Sequence, residues 1–420
     1  MSPCPAHHLR LTREDIRQIQ LERLQSTLHR VRRRVAFYKQ RFQETGFNPD
    51  QFESLDDMVK LPFTTEQDLS DAYPYDMFCI PLRDVVRIHT TTGRGNSPIV
   101  IGNSERDLTN RAKLLARVYT SIGLTSEDVF QITLRYGLGT GAFSFHDAAR
   151  EIGASTIPTS VGHTDKQLKI MRDFGTSCLI ATPGYARILL EAMESRGMTP
   201  SMLRLKAILL TGEPWSTNLA ADLEQGFQAP VYDIYGLSAV CGPGIAAQCQ
   251  EKTGLHLQED MVYAEIIDPQ SGKPVAPGQW GELVLTTLVE EAVPVIRYRT
   301  GDRARLLTSP CACGSTFRLL DHVPGRIDDV LIVKGINIAP EMIERVLTDV
   351  LGTAVSWKAE VTGEGPTQQL VLRIGITEPL FFDQMKRQRA MVDRLRHAFA
   401  QWIGVTPRIL LVEPQSVNNG

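Results

Sequence analysis

The chain has 420 residues, 42% of them hydrophobic and 22% charged, with a formal net charge of -3. That composition lets a chain bury a large core, and single cores stop growing at roughly 250–300 residues, so at least two domains are expected. It excludes the electropositive footprint of a nucleic-acid-binding protein, and no stretch approaches the ~18 apolar residues of a membrane span.

Seven cysteines, an odd number, with no apolar signal-peptide core between Met1 and Leu11, argue against a disulfide framework and for the cytoplasm. Thr12 and Asp15 form a weak variant of a capping box, which prefers Glu or Gln as its third residue. The segment they open carries Leu21, Leu24, Leu28, Val31 and Val35 in a 3-4-3-4 spacing, one helical stripe packed on the body. Its basic run, His29 to Arg34, reads as a solvated helix face.

Val85 to Ile88 is strand-like. Beyond it, Asp128–Ile132, Cys178–Ala181, Ala207–Leu210 and Val231–Ile234 read as buried strands, with helical patterns such as Thr109–Ser121 and Lys166–Asp173 between them. Alternation of this kind predicts an α/β architecture. From Val262 to Leu307 the texture becomes alternating, with Gly/Pro turns, which predicts a more antiparallel section.

After Asp329 the pattern restarts. Val330–Val333 is strand-like, Gly335 marks a turn, and Pro340 suits the first turn of a helix over Glu341–Val350. Strands over Val355–Val361 and Gln369–Ile374, a helix over Phe382–Trp402 and a strand over Arg408–Val412 complete a small α+β unit. The expected organisation is a large multi-sheet α/β domain, residues 1–327, and a small α+β domain, residues 328–420, joined at a hinge near Gly325–Asp329.

Five motifs carry chemistry. His89 to Pro98 contains Thr90, Thr91, Thr92, Gly93 and Gly95, hydroxyls and backbone amides able to surround phosphate. Gly212, Glu213 and Pro214 follow one buried strand; Asp233, Tyr235 and Gly236 belong to the next, where α/β sheets commonly bind ligands. Tyr235 offers a face to a purine, and Gly236 allows close backbone approach. Asp302, in Ile296–Asp302, suits ribose hydroxyls because its two oxygens accept. Arg326, in Gly325-Arg326-Ile327-Asp328-Asp329, suits a phosphate.

In this order and spacing the motifs closely resemble the phenylacetate–coenzyme A ligase family of the adenylate-forming enzymes, most specifically at Tyr232–Ser238 with Gly242–Gly244 and at Pro294–Asp302. The resemblance implies ATP and coenzyme A as cofactors, a small carboxylic acid (typically aryl) as substrate, and an acyl-adenylate intermediate. It implies a triphosphate held by the Thr90–Gly95 loop, and Gly212, Glu213 and Pro214 at the junction of adenine and acyl group. Asp233 and Tyr235 would flank adenine, Asp302 bind ribose, and Arg326 orient the nucleotide. Asp328 would be the pivot of the small domain. The implied catalytic residues are Arg326, Asp328 and Glu213; Tyr136 walls the acyl pocket and Gly335 lies near the pantetheine path. A homodimer is common among such proteins.

Three departures concern the first half-reaction. The family's Gly-Lys-Pro reads Asn96-Ser97-Pro98, with Arg94 as a substitute cation; its magnesium-binding glutamate is Ala239; and no lysine follows Lys386. The expected protein is therefore an aryl- or acyl-CoA ligase-like enzyme with altered adenylation residues. A relative that uses a preformed activated acyl group for acyl transfer or amide formation, and a nucleotide- or acyl-binding pseudoenzyme, remain alternatives. Gly139 and Gly184 suggest room for a bulkier acyl group.

Cys249, His256, Cys311 and Cys313 supply two ligands from each of two loops, a closed structural zinc site of three thiolates and one imidazole. Cys4, Cys79, Cys178 and Cys241 read as core or incidental thiols, and His89 and His146 as packing or hydrogen-bonding residues.

Overall fold

The computed structural model describes residues 11–91, 97–215, 217–328, 330–352, 355–363, 367–376 and 384–412. They fall into two compact units, one running to Ile327 and the other beginning at Asp328. Thr92, Gly93, Arg94, Gly95 and Asn96 of the expected phosphate loop lie outside the described residues, as do Cys4, Asp329 and residues 413–420.

The first unit opens with α1 (Arg13–Arg34) and α2 (Ala36–Thr45). The capping box forms with aspartate: Asp15 N–H donates to Thr12 Oγ1 at 3.1 Å and Thr12 N–H to Asp15 Oδ2 at 2.7 Å. Leu24, Leu28 and Val31 are fully buried, as their spacing requires. Each stabilises the fold by roughly 1.5–3 kcal/mol. The helix does not continue through Val35, whose extended backbone (φ -112, ψ 112) separates the two helices while its side chain stays in the same core.

After α3 (Glu66–Asp71), β1 (Arg87–Thr91) pairs antiparallel with β2 (Ile99–Asn103). The expected strand start at Val85 is shifted, because Leu82–Asp84 form a 3-10 turn capped by Val85. Thr90 and Thr91 are consequently strand residues, opposite Val100 and Ile99.

A mixed eight-stranded sheet follows α4 (Glu105–Ser121). Its parallel half is built from β3 (Val129–Ile132), α5 (Gly141–Glu151), β4 (Ser155–Ile157), α6 (Thr164–Asp173), β5 (Cys178–Ala181), α7 (Pro183–Ser195), β6 (Ala207–Leu210), α8 (Thr217–Phe227) and β7 (Val231–Leu237). It continues antiparallel through β8 (Gly242–Gln248) and β9 (Leu255–Leu257). A separate antiparallel sheet holds β10 (Val262–Ile267), β11 (Gly281–Thr287) and β12 (Tyr298–Ala304); β13 (Leu319–Leu320) then closes the large sheet beside β9.

The strand order β7-β6-β5-β3-β4 reverses direction between β3 and β5. A crevice at the carboxyl ends of the strands is where such a reversal places ligands. The segments that leave β3, β5 and β6 there contain Tyr136, Gly184 and Glu213, and Tyr235 lies near the end of β7 itself.

Gly236 sits at a register shift between β7 and β8. A Cβ there would lie 2.2 Å from the Gly242 carbonyl oxygen and 2.6 Å from Pro243 Cα. The close approach is thus to the neighbouring strand. Those backbone atoms cannot yield without parting the strands, so Gly236→Ala is expected to destabilise by about 1–3 kcal/mol. A urea midpoint that falls at constant slope would show it.

The second unit has its own core, with Val333, Ile343, Leu347, Leu372, Leu395 and Phe399 inside. β14 (Leu331–Val333) and β15 (Ile336–Ile338) form a hairpin around Lys334-Gly335, both at positive φ (50 and 77) as a type I′ turn requires. Pro340 occupies the first turn of α9 (Pro340–Leu351), and Gly352 ends it at φ 73. β16 (Trp357–Thr362) runs antiparallel to β17 (Gln369–Gly375), which pairs parallel with β18 (Arg408–Val412) after α10 (Gln384–Trp402). Among the described residues no helix is long and apolar enough to cross a membrane.

Candidate functional site

Three of the sequence-predicted residues meet in one corner of the first unit. The Tyr235 hydroxyl donates to Asp302 Oδ2 at 2.6 Å, and Arg326 Nη1 lies 3.6 Å from Asp302 Oδ1. The backbone makes this meeting possible. Segment Gly325–Ile327 lies antiparallel along β12, with Arg303 N–H donating to the Gly325 carbonyl (2.9 Å) and Ile327 N–H to the Gly301 carbonyl (2.8 Å). Arg326 also faces Glu66 of α3 at 4.0 Å, a neighbour the motifs did not indicate. Burial, reinforced by the Asp302 charge, holds the Tyr235 phenol well above its ordinary pKa, so it stays a donor. Both Asp302 oxygens already have a protein partner, but a carboxylate carries about four lone-pair directions and each oxygen can accept again.

Asp233, two residues earlier on β7, is tied to a group the sequence reading missed. Its Oδ2 lies 2.7 Å from His322 Nδ1, while His322 Nε2 is 2.7 Å from the Trp215 carbonyl oxygen. The Asp233 backbone N–H donates to Gln248 Oε1 at 2.9 Å. Gly212 turns the chain out of β6 at φ 84, Pro214 is exposed, and Glu213 Oε2 accepts the Gly184 N–H at 3.2 Å. Glu213 and Gly184 therefore join the segments that leave β6 and β5.

The loop after β3 leaves the same ends of the parallel strands. Its Leu138 carbonyl accepts both the Thr90 N–H (2.9 Å) and the His89 imidazole Nδ1 (3.0 Å), tying the end of β1 to the loop that carries Tyr136 and Gly139. Burial lowers the His89 pKa, which suits a neutral, bracing imidazole. Thr140 Oγ1 and Ser238 Oγ are 2.9 Å apart, linking the same loop to the end of β7. The Tyr136 hydroxyl lies 3.3 Å from His146 Nδ1, and its ring meets Phe143 edge-on at 5.2 Å. Burial pushes the Tyr136 phenol up to about 12. Gly139 is exposed, and a Cβ there would meet nothing within 4 Å. Ala239 is half-buried and packs against the main core. Ser97 gives its carbonyl to the Ser70 hydroxyl of α3.

Asp328 and Gly335 belong to the second unit. Asp328 Oδ1 accepts the Val330 N–H at 3.3 Å, and Gly335 is the second turn residue of the β14–β15 hairpin.

The donor atoms of Cys249, His256, Cys311 and Cys313 all lie within 4.8 Å of one another. Cys249 Sγ and Cys311 Sγ are 3.6 Å apart, and Cys313 Sγ is 3.4 Å from His256 Nε2. Bonds of about 2.3 Å to sulfur and 2.0–2.1 Å to nitrogen in a tetrahedron give edges near ~3.8 and ~3.6 Å, so the four residues fit zinc. Cys79, Cys178 and Cys241 are buried free thiols.

Comparison with known proteins places these features in context. Residues 103–287 match the AMP-binding enzyme family, and residues 335–419 match the AMP-binding enzyme C-terminal domain. A phenylacetate-coenzyme A ligase of Escherichia coli strain K12 is 35% identical over 406 residues, covering 96% of this chain and 92% of that one. One of Aromatoleum evansii is 36% identical over 408 residues, covering 97% and 92%. A crystal structure of 2-hydroxyisobutyryl-CoA ligase in complex with 2-HIB-AMP and CoA has the same fold, with a TM-score of 0.92 at 24% identity, covering 99% of this chain and 90% of that one.

Proposed function

Because the chain belongs to the phenylacetate–coenzyme A ligase family of AMP-forming acid–thiol ligases, we propose that it activates a carboxylic acid, aryl by analogy with those relatives, and transfers it to coenzyme A. The observation that carries the reading is the Tyr235–Asp302–Arg326 cluster. A carboxylate oxygen attacks the α-phosphorus of ATP and pyrophosphate leaves; the coenzyme A thiol then attacks the acyl carbon and AMP leaves.

In this scheme Asp302 accepts from the ribose hydroxyls, Arg326 stabilises phosphate charge, and Asp233 and Tyr235 address the base. Glu213 and Gly212 bound the acyl–adenine junction, and Tyr136 with Gly139 lines the acyl pocket. Asp328 begins the second unit, which serves the thiol step by rotating, with Gly335 on the pantetheine path. The adenylation apparatus is altered. Ala239 offers no oxygen to magnesium, and Ser97 offers no cation. Nucleotide affinity is retained while the ATP-consuming step is slowed.

AMP and acyl-thioester formation from ATP, coenzyme A and a panel of aryl acids tests the reading. Acid-dependent release of both products supports it. No AMP from any acid, alongside thioester exchange or amide formation from a preformed activated acyl group, would replace it with an acyl-transfer role.

The Cys249–His256–Cys311–Cys313 cluster holds a structural zinc ion. Four protein ligands close the tetrahedron, so no position is left for a reacting water. Stoichiometric zinc is expected on metal analysis of the purified protein. Cys311→Ser should lose it and lower Tm by on the order of 5–10 °C, since structural zinc contributes folding energy directly. A metal-free protein with unchanged Tm in the variant would contradict the assignment.

A further inference from the structure

His322 follows β13 by two residues and is held at both ring nitrogens, by the Asp233 carboxylate and the Trp215 carbonyl, each at 2.7 Å. A carboxylate and a carbonyl oxygen both accept, so the doubly protonated imidazolium is the form that satisfies both contacts. Burial alone would lower its pKa. The hydrogen bond and charge of Asp233, with the Trp215 carbonyl and Asp321, outweigh that and raise it above its ordinary value. Asp321 is itself bound by Arg305 at 2.7 Å, and the Trp215 ring packs edge-on against the imidazole at 4.8 Å.

The clamp uses one oxygen of Asp233. Among the described residues Oδ1 has no hydrogen-bonding partner, and the side chain keeps 10% exposure. Asp233 and Tyr235 are two apart on one strand, so their side chains share a face.

We propose that His322 is a positioning residue for base recognition, holding Asp233 so that Oδ1 accepts the exocyclic 6-amino group of an adenine. A 6-oxo purine would set its O6 against that carboxylate, acceptor facing acceptor, and be rejected. The inference deepens the ligase reading and rests on it.

Calorimetric titration of the intact protein with AMP and with IMP at pH 7 tests it. The wild type should prefer AMP by about tenfold or more, since a site built around one hydrogen bond discriminates strongly against its absence. His322→Ala should bring the ratio close to unity. His322→Gln should keep part of it, because an amide still donates to Asp233; it also provides the reading if the alanine variant fails to fold. The wild-type preference should fall as pH rises through the raised His322 pKa, where one N–H is lost. Imidazole nitrogen NMR should show both His322 nitrogens protonated at neutral pH, and only one in Asp233→Asn.

A folded His322→Ala protein with an unchanged AMP:IMP ratio overturns the proposal and leaves the nucleotide site standing. A wild type that binds neither nucleotide overturns the nucleotide reading and the proposal together.

Discussion

Replacing Arg326 by alanine is expected to lower kcat/KM for ATP by about 10²–10³-fold, the usual cost of removing one preorganised group that stabilises developing charge. The geometry explains the size. Arg326 is largely buried, held in place by a backbone ladder to β12, with Asp302 on one side and Glu66 on the other. A guanidinium fixed this way need not reorganise when phosphate charge develops. Removing it also takes away the guanidinium that faces both carboxylates, which opposes binding of an anionic nucleotide. Arg326→Lys should recover only part of the loss, because an ammonium lacks the planar fork that can meet a carboxylate and a phosphate together. Steady-state kinetics with varied ATP checks this. A decrease below threefold in a protein of unchanged Tm would remove Arg326 from the site.

The second large effect is on stability. Arg297 is 2% exposed and pairs with Glu265 through two hydrogen bonds, at 3.0 and 2.9 Å, while Nη1 donates to the Leu61 carbonyl at 2.8 Å. Its guanidinium lies 4.0 Å from the centroid of the Phe63 ring. Arg297→Met leaves Glu265 buried and unpaired, and breaking such a pair costs about 3–5 kcal/mol. The double variant Arg297→Met, Glu265→Leu should recover much of it, because an apolar pair carries no desolvated charge.

The single variant also has a pH signature. Burial raises the Glu265 pKa even with Arg297 opposing it, and losing the arginine raises it further. The folded state then binds a proton more tightly than the unfolded one. Its loss of stability should be smaller below the unfolded pKa of about 4.3, growing as pH rises through the raised folded value. Urea unfolding at pH 5 and pH 8 measures the difference. Because Arg297 directly precedes β12, which carries Asp302, this pair also secures the corner where Tyr235, Asp302 and Arg326 meet.

Strands that are short apolar runs between breakers could be read directly. Cys178–Ala181, Ala207–Leu210 and Arg408–Val412 are strands over the expected residues. Periodicity misled where a side chain and its backbone answer to different neighbours. Val35 continues the buried stripe of α1 although its backbone leaves the helix. β1 begins later and runs further than its apolar residues suggest, because pairing with β2 carries His89, Thr90 and Thr91 into the ladder. Ordered motifs marked Tyr235, Asp302 and Arg326, which the fold brings together from separate stretches of chain. His322 and Glu66 were not legible, since each gains its meaning from a partner distant in sequence: Asp233 for one, Arg326 for the other. No local pattern encodes such a pairing.

We propose a nucleotide site built on Tyr235, Asp302 and Arg326. A crystal structure of the protein soaked with AMP tests it most directly. Ribose hydroxyls are expected within hydrogen-bonding distance of Asp302, with the phosphate toward Arg326 and the 6-amino group facing Asp233 Oδ1. AMP bound elsewhere, or no AMP at millimolar concentration with that corner unchanged, would contradict it.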